Sequence, residues 1–407
     1  MADIDLQSDA LAGIRVVECG DFVSASYATK QLADLGAHVI KVEQPGRGDT
    51  ARRRGPFAGS PDPERSGLFL YLNSNKHGIA VDLERADGRE VLARLAASAD
   101  LLVHNVAPEA IERLGLDDRA LRARKPALVV TSISPFGLTG PHRDLRMHDL
   151  NLWCAGGVAT LNGGGPGSDD MPPLKGFGQQ AGFQAGLNAA VGSLGALLSA
   201  LATGEGQLVE VSVQECLTSI LEMTYEFYPY MGLVASRLGQ KPIAPLDFLE
   251  CKDGWIFICC VEEHQWQRFV ELAGNPEWAT MELFDNRMSR AANWDALNIF
   301  LSEYAAGLTV QELYHRAQAR RIPFAPVSTM GDLLASEHLK TRGFFAMLDD
   351  GNGGTVTMPG APYRHAATPW RIRKRAPRLG EDTDLILTEL GYGASEIAAL
   401  RAAGAVA

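Results

Sequence analysis

The chain has 407 residues, 46% hydrophobic and 21% charged, and a formal net charge of −11. That length exceeds one ordinary core and implies two domains, while the acidic balance excludes a nucleic-acid partner or an anionic membrane surface. The acidic first residues lack the apolar run of a signal peptide, and the longest apolar stretch, 189–201, is broken by Gly192, Ser193, Gly195 and Ser199, too short and interrupted for a membrane span.

In chain order, residues 14–18 read as a strand, 25–35 as a helix and 37–43 as a second strand. This is a βαβ unit, so a parallel sheet with helical crossovers is expected. The loop at 19–26 carries one glycine, not the GxGxxG of a dinucleotide fingerprint, yet it opens a helix, whose N-terminus attracts anions. Residues 46–63 are rich in Gly, Pro and Arg and read as a mobile basic loop. Its run Arg52, Arg53, Arg54 is either a solvated charge cluster or a set of arginines closing over phosphates. Residues 70–83 suggest two short strands around a polar turn. A helix at 88–98 and a strand at 100–104 follow. Asn105 and Arg113 then fall at a strand's carboxyl end, where open α/β sheets bind ligands.

Beyond the strand at 127–133 and the turn-rich 134–141 comes the stretch 146–207. It holds the pair His148, Asp149, a glycine-rich loop at 162–170, a small-residue helix at 186–201 and a strand at 208–213. His148 reads either as a general base oriented by Asp149 or as a cleft wall beside a structural cap. Met147, Trp153, Phe177, Phe183 and the tyrosines of 225–230 are candidates for a pocket wall or for core. Residues 214–221 extend as a helix and 225–247 as a linker. A smaller α+β domain follows at 248–322, with strands flanking the hairpin turn at 252–254 and helices at 263–273 and 294–306. Residues 323–407 return to the large domain begun by 1–224 and end in an Ala-rich helix near 396–403. The six cysteines lack ligand spacing, and adjacent Cys259 and Cys260 in a strand would point apart, so buried, reduced thiols in a cytoplasmic protein are expected and no metal.

Several segments together resemble the class III coenzyme A transferases, the family of formyl-CoA and carnitine CoA-transferases and of the α-methylacyl-CoA racemases. They are 11–18 (LAGIRVVE), 35–49 (LGAHVIKVEQPGRGD), 72–76 (LNSNK), 105–109 with Arg113, 134–141 (SPFGLTGP) and 203–207 (TGEGQ); 325–327, 338–345 and 379–384 continue the series. The resemblance implies an α/β fold: a Rossmann-like large domain with a parallel sheet, a smaller domain, and two subunits threaded as linked rings. It implies coenzyme A or acyl-CoA as substrate, with no covalently bound cofactor, and carboxylic acids as donor and acceptor. Ser24, Ala25, Asn75, Lys76, Asn105 and Arg113 become candidate CoA contacts, with Lys76 and Arg113 as phosphate clamps supported by Arg52 to Arg54.

The resemblance also implies a mechanism in which an aspartate attacks the thioester, giving an anhydride and then an enzyme thioester. That aspartate stands about four residues before the segment matched by Gly186 and Leu187. Here the region from Gln180 to Gly182 is amide and glycine, and no acidic residue lies between Lys175 and Gly204. Racemases of the family carry a His-Asp pair where His148 and Asp149 stand and use the histidine in proton transfer. Asp169 or Asp170 could swing in as a substitute carboxylate. The readings are therefore a CoA-transferase subunit whose carboxylate comes from elsewhere or from an Asp-bearing paralogue, as homodimer or heteromer; an α-carbon proton-transfer enzyme using His148; or a CoA-binding scaffold.

Overall fold

A computed structural model describes residues 9–57, 61–163, 170–237, 243–351 and 353–407. The chain divides into two compact units, one of residues 1–163, 172–235 and 343–407, the other of residues 164–171 and 236–342.

The first unit is built on six strands: β1 Arg15–Cys19, β2 His38–Glu43, β3 Lys76–Ala80, β4 Leu101–His104, β5 Val129–Ser134 and β6 Leu208–Ser212. All pair in parallel, in the order β3-β2-β1-β4-β5-β6. Val17 of β1 faces Ile40 on one side and Leu102 on the other, so the winding reverses between β1 and β4. Both faces of such a sheet must be covered, and the strands are largely buried, with Glu18, Lys41, Glu43 and Lys76 among their buried residues.

The helices of this unit are α1 Ser24–Asp34, α2 Gly67–Asn73, α3 Ala86–Ser98, α4 Asp118–Arg124, α5 Asp149–Ala155, α6 Gln180–Thr203, α7 Val213–Ser219 and α8 Glu222–Met231. One face of the sheet packs on α1 and α6 through Ala28, Leu32, Ala185, Ala189 and Leu197. The other packs on α3 and on the C-terminal helices Thr383–Glu389 and Ala394–Ala402 through Val91, Leu95, Ile386 and Ile397. The small residues of α6 allow close approach: a Cβ on Gly186 would lie 2.6 Å from the Ser24 carbonyl oxygen. Thr131 Oγ1 and Ser193 Oγ meet at 2.7 Å and pin α6 to β5. Length and composition alone would let α6 cross a membrane, but its Ala, Gly and Ser edge is core here.

Three elements depart from expectation. Residues 67–73 are helix, not strand; Ser66 Oγ accepts from Phe69 N at 3.2 Å and caps α2. The stretch read as linker begins with α8, which holds Pro229 in its interior. The "mobile" basic loop is anchored. Arg52 is buried, donates to both Glu43 oxygens at 2.7 Å and to Glu64 at 2.8 Å, and lies 3.7 Å from the Phe69 ring.

In the second unit β7 Leu246–Cys251 and β8 Gly254–Cys259 form a hairpin, with β9 Ala325–Pro326 added antiparallel to β8. Helices Glu263–Leu272, Trp294–Ala306 and Val310–Ala319 cover it around Ile256, Trp266, Phe269 and Leu301. In the first unit, an antiparallel hairpin of Phe345–Asp349 and Thr355–Pro359 was not anticipated.

Candidate active site

Two cavities open at the carboxyl ends of β1, β4 and β5, where the winding reverses. The larger, about 660 Å³, is walled by Cys19 to Asp21, Gln44, Pro45, Arg47 to Thr50, Glu84 and Val106. The smaller, about 460 Å³, is walled by Phe22 to Ser24, Arg54, Ser134, Met147 to Asp149, Lys175, Gln179 and Gly182. Asp21 and Asn105 line both. An open α/β sheet places its ligand at this reversal.

Asn105 fixes the junction. Its Oδ1 accepts from Asp21 N at 2.9 Å, and its Nδ2 donates to the Asp21 carbonyl at 2.7 Å and to Ser24 Oγ at 2.9 Å. Asn105 and Ser24, both expected as CoA contacts, line the smaller cavity. Ala25 is wholly buried, and a Cβ on Gly20 would meet its Cβ at 2.4 Å, so the loop turns tightly into α1. Ser24, the first residue of α1, lines the smaller cavity, and the first N–H groups of a helix lack helical carbonyl partners.

Beneath α1 sits a lattice of buried charge. Glu18 accepts from Lys41 at 2.7 Å and Lys76 at 2.8 Å, and from the hydroxyls of Ser26 and Thr29 at 2.7 and 2.6 Å. Lys41 also pairs with Asp49 at 2.7 Å, and Asp49 accepts from Phe22 N and Ala51 N. Burial alone would raise the Glu18 carboxyl, but the two ammonium groups outweigh it and hold the group well below its ordinary value. Burial draws Lys76 down to about 8 against the pull of Glu18.

The phosphate-clamp assignment of Lys76 is therefore corrected. Its ammonium is fully buried, and its three donors go to Glu18, the Ser26 carbonyl and Asn73 Oδ1, all at 2.8 Å. Arg52 is likewise removed from any clamp. Asn75 lines neither cavity: its amide donates to Asp34 and to the Arg371 carbonyl and accepts from Arg373 and Lys374, so it ties the returning C-terminal segment to the sheet. Arg113 stays exposed and pairs with Glu84 on the rim of the larger cavity.

In the smaller cavity His148 and Asp149 do not act on each other as a base and its orienting acid. Asp149 Oδ1 accepts from Gly182 N at 3.1 Å, and Oδ2 lies 2.8 Å from Lys175 Nζ, an ion contact off the line of a hydrogen bond. Asp149 is thereby the cap that seats the start of α6. His148 lines the cavity and donates its backbone N–H to Asn151 Oδ1. Gln180 turns away, donating to the Phe177 carbonyl at 3.1 Å. Asp169 lies outside the described residues, and Asp170 is exposed on a turn.

Met147 belongs to the cavity wall, and Trp153 stacks under Lys175. Phe183 instead packs against Tyr27, and the α8 tyrosines are exposed. Asp21, Ser134 and Lys175 were not singled out from sequence. The position of Asp21 just past β1 was the available signal. Its carboxylate accepts from Thr50 N at 2.7 Å and Thr50 Oγ1 at 2.9 Å; desolvation first and the neighbouring Asp49 second push it upward.

The parallel sheet with reversed winding and the paired cavities at its carboxyl edge define an open α/β protein whose crevice lies at the reversal. The sequence matches the model of CoA-transferase family III over residues 11–383, and the chain belongs to that family. It is 37% identical over 396 residues to succinyl-CoA:(R)-benzylsuccinate CoA-transferase subunit BbsE of Thauera aromatica, covering 93% of this chain and 94% of the relative. It is 32% identical over 395 residues to the alpha subunit of succinyl-CoA–L-malate CoA-transferase of Chloroflexus aurantiacus, covering 96% and 91%. A crystal structure of a CAIB/BAIF family protein from Brucella suis superposes with a TM-score of 0.85 at 30% identity, covering 94% of this chain and 100% of that one. The chain is a class III CoA-transferase-family enzyme, and CoA thioesters are the substrates of such enzymes.

Proposed function

We propose that this chain is the subunit of a cytoplasmic heteromeric CoA-transferase that binds CoA without supplying the attacking carboxylate, which comes from an Asp-bearing paralogue. The observation that carries the reading is the cavity wall at the head of α6. It consists of Gly178, Gln179 and Gly182, and the carboxylates nearby are committed, Asp149 to Gly182 N and Asp21 to Thr50. A glutamine amide is neither a nucleophile nor an acid–base group at neutral pH.

The nucleotide of CoA would lie in the larger cavity, against the rim held by Arg113 and Asn105. The pantetheine would pass the Asp21–Asn105 junction and leave the thioester facing the N–H groups of α1 and α6. Both relatives named above carry "subunit" in their names, which supports a partner chain. So does an apolar stripe on the outer face of α6, where Leu187, Val191, Leu198 and Leu201 are 45–69% exposed. The linked-ring dimer belongs to the same proposal.

Calorimetry with CoA tests the binding half, with a micromolar Kd expected, about −8 kcal/mol. Co-expression with the paralogue, followed by a thioester-transfer assay, tests the other half. Transfer by the isolated chain as fast as by the mixture would sink the subunit reading. The reading as an α-carbon proton-transfer enzyme draws on one observation, that His148 lines the cavity; it lacks the acid that would serve the opposite face of the carbon. A CoA-binding scaffold would show binding in the first assay and no gain from the partner in the second.

A further inference from the structure

Phe22 holds a backbone conformation that its side chain disfavours. Its φ is 65°, in the left-handed region where a bulky residue is rare and strained. Among the described residues five that are not glycine have positive φ, and of these Phe22 alone lines either cavity. Two contacts hold it there. Its N–H donates to Asp49 Oδ1 at 2.9 Å, and its half-buried ring packs on the cluster of Ala51, Phe69, Leu70, Leu348 and Ala376. Asp49 is itself fixed and buried: Oδ1 also accepts from Ala51 N, its N–H donates to Glu43 Oε2 at 2.8 Å, and Oδ2 faces Lys41 at 2.7 Å. The lacing is reciprocal, because Asp21 on the loop after β1 accepts from Thr50 on the loop after β2. Asp49 and Thr50 wall the larger cavity and Phe22 the smaller, so the loop after β2 fixes part of a wall it does not itself line. Beside Phe22 the smaller cavity is lined by Val23, Ile133, Met147, Leu152 and Val213, an apolar side suited to a hydrocarbon chain. Strain kept at a cavity wall points to a contact that needs the wall in one position.

We propose that the acyl chain of the thioester packs against Phe22, and that Asp49 is a positioning residue that sets this wall from the loop of the neighbouring cavity. This rests on the proposed function only in placing the acyl end in the smaller cavity. Released from Asp49, residue 22 relaxes to negative φ, the peptide planes on either side rotate, and the ring leaves the wall. The acyl chain then loses an apolar face, over and above anything CoA itself loses. Neither residue takes part in bond making; Phe22 binds and Asp49 positions it.

The test measures, by calorimetry on the full chain, how much more tightly butyryl-CoA binds than CoA. The ratio is expected to be about tenfold, the return on burying two or three methylene groups, and Asp49→Ala should bring it below about threefold. Whatever that substitution does to CoA alone cancels in the ratio, so a merely structural loss leaves the ratio where it was. Phe22→Gly should lower the ratio in the same way, and the double variant should lower it no further, because both substitutions remove one wall. Phe22→Ala and Phe22→Gly lose the same ring, but only alanine is strained at this φ, so the glycine variant should melt at the higher temperature. That comparison reads the backbone even where Asp49→Ala does not fold. Equal binding of butyryl-CoA and CoA by the unsubstituted chain, a ratio unmoved by Asp49→Ala, losses that multiply in the double variant, or an alanine variant that melts higher than the glycine one would each overturn the proposal. Failure to bind CoA at all would instead overturn the proposed function.

Discussion

If the carboxylate is what this chain lacks, one substitution at the head of α6 should restore chemistry. Gly182 is the position to change: it lines the smaller cavity, and its N–H already holds Asp149. A Cβ there would sit 3.1 Å from Val23 Cβ and Cγ1 and 4.0 Å from Ser24 N, so the neighbours must yield by a few tenths of an ångström. Such overpacking costs roughly 1–3 kcal/mol. Replacing a helical glycine returns about 0.5 kcal/mol, and a negative charge in the first turn of a helix about 0.3–1 kcal/mol. The net cost of Gly182→Asp is then about 1 kcal/mol, which a domain with the usual margin of about 5–15 kcal/mol tolerates. The new carboxylate would face the N–H groups that open α1. Removing one well-placed catalytic donor slows an enzyme by about 10²–10³, so restoring a missing group should lift CoA transfer by at least about a hundredfold. The assay incubates the variant with succinyl-CoA, reduces any enzyme thioester with borohydride and reads homoserine at position 182 by peptide mass. Gln180→Asp, whose side chain would leave toward Phe177, should give nothing. A folded Gly182→Asp variant that binds CoA but neither transfers it nor traps a thioester would refute the reasoning.

Glu18→Gln should destabilise the chain by about 3–5 kcal/mol in urea titration, because it leaves Lys41 and Lys76 buried beside one fewer carboxylate; a loss under 1 kcal/mol would contradict the lattice. The same variant should flatten the acid limb. The Glu18 carboxyl sits below its ordinary 4.5 in the folded chain, so the unfolded chain takes the proton first and stability falls as pH drops below 4.5. Leu198→Glu on the exposed stripe should change monomer stability by less than about 0.5 kcal/mol yet weaken assembly more than tenfold, measured by light scattering; an unaltered oligomer would show that this face is not the interface. With a 2-methylacyl-CoA in deuterated water, neither the parent chain nor His148→Ala should wash label into the α-position; exchange by the parent that disappears in the variant would establish proton transfer instead.

Local signals explain what could be read in advance. The first βαβ unit was legible because Val16, Val17, Val39, Ile40 and Val42 give β1 and β2 a β-branched character and α1 keeps helical spacing. The cleft was legible because Asn105 follows β4 directly. The errors fall where a local pattern meets a distant partner. Lys76 and Arg52 looked like surface cations because nothing near them in sequence announces Glu18, 58 residues from Lys76, or Pro377, 325 residues from Arg52. For Asp149 two readings stood open, orienting acid for its neighbour His148 or structural cap; its Oδ1 reaches 33 residues onward to Gly182 N, a partner no local pattern announces. For α2, the alternation through Leu70, Tyr71 and Leu72 imitates a strand, and the cap at Ser66 was the overlooked cue.

The buried lattice and the glycine and glutamine wall at the head of α6 bear on one another. A buried ion pair is seldom worth more to stability than well-packed apolar side chains, so Glu18, Lys41, Lys76 and Asp49 are a weak way to hold the sheet together. Orientation is what they supply. Glu18 takes the Ser26 and Thr29 hydroxyls from α1, and Asp49 takes the N–H of Phe22, so the loop and the helix it opens are fixed from below. Asn105 fixes the same loop from the side through Asp21 and Ser24. The result is a loop and a helix start held in one orientation at the edge of the smaller cavity, a cradle suited to the CoA thioester of the proposed function. On the proposed function, a chain that keeps this cradle while presenting glycine and glutamine at the head of α6 holds a substrate for a carboxylate that arrives from outside. Weakening the cradle by Asn105→Ala should therefore lower transfer by the mixed complex even when the partner's aspartate is intact, and unchanged transfer in that variant would separate the cradle from the reaction.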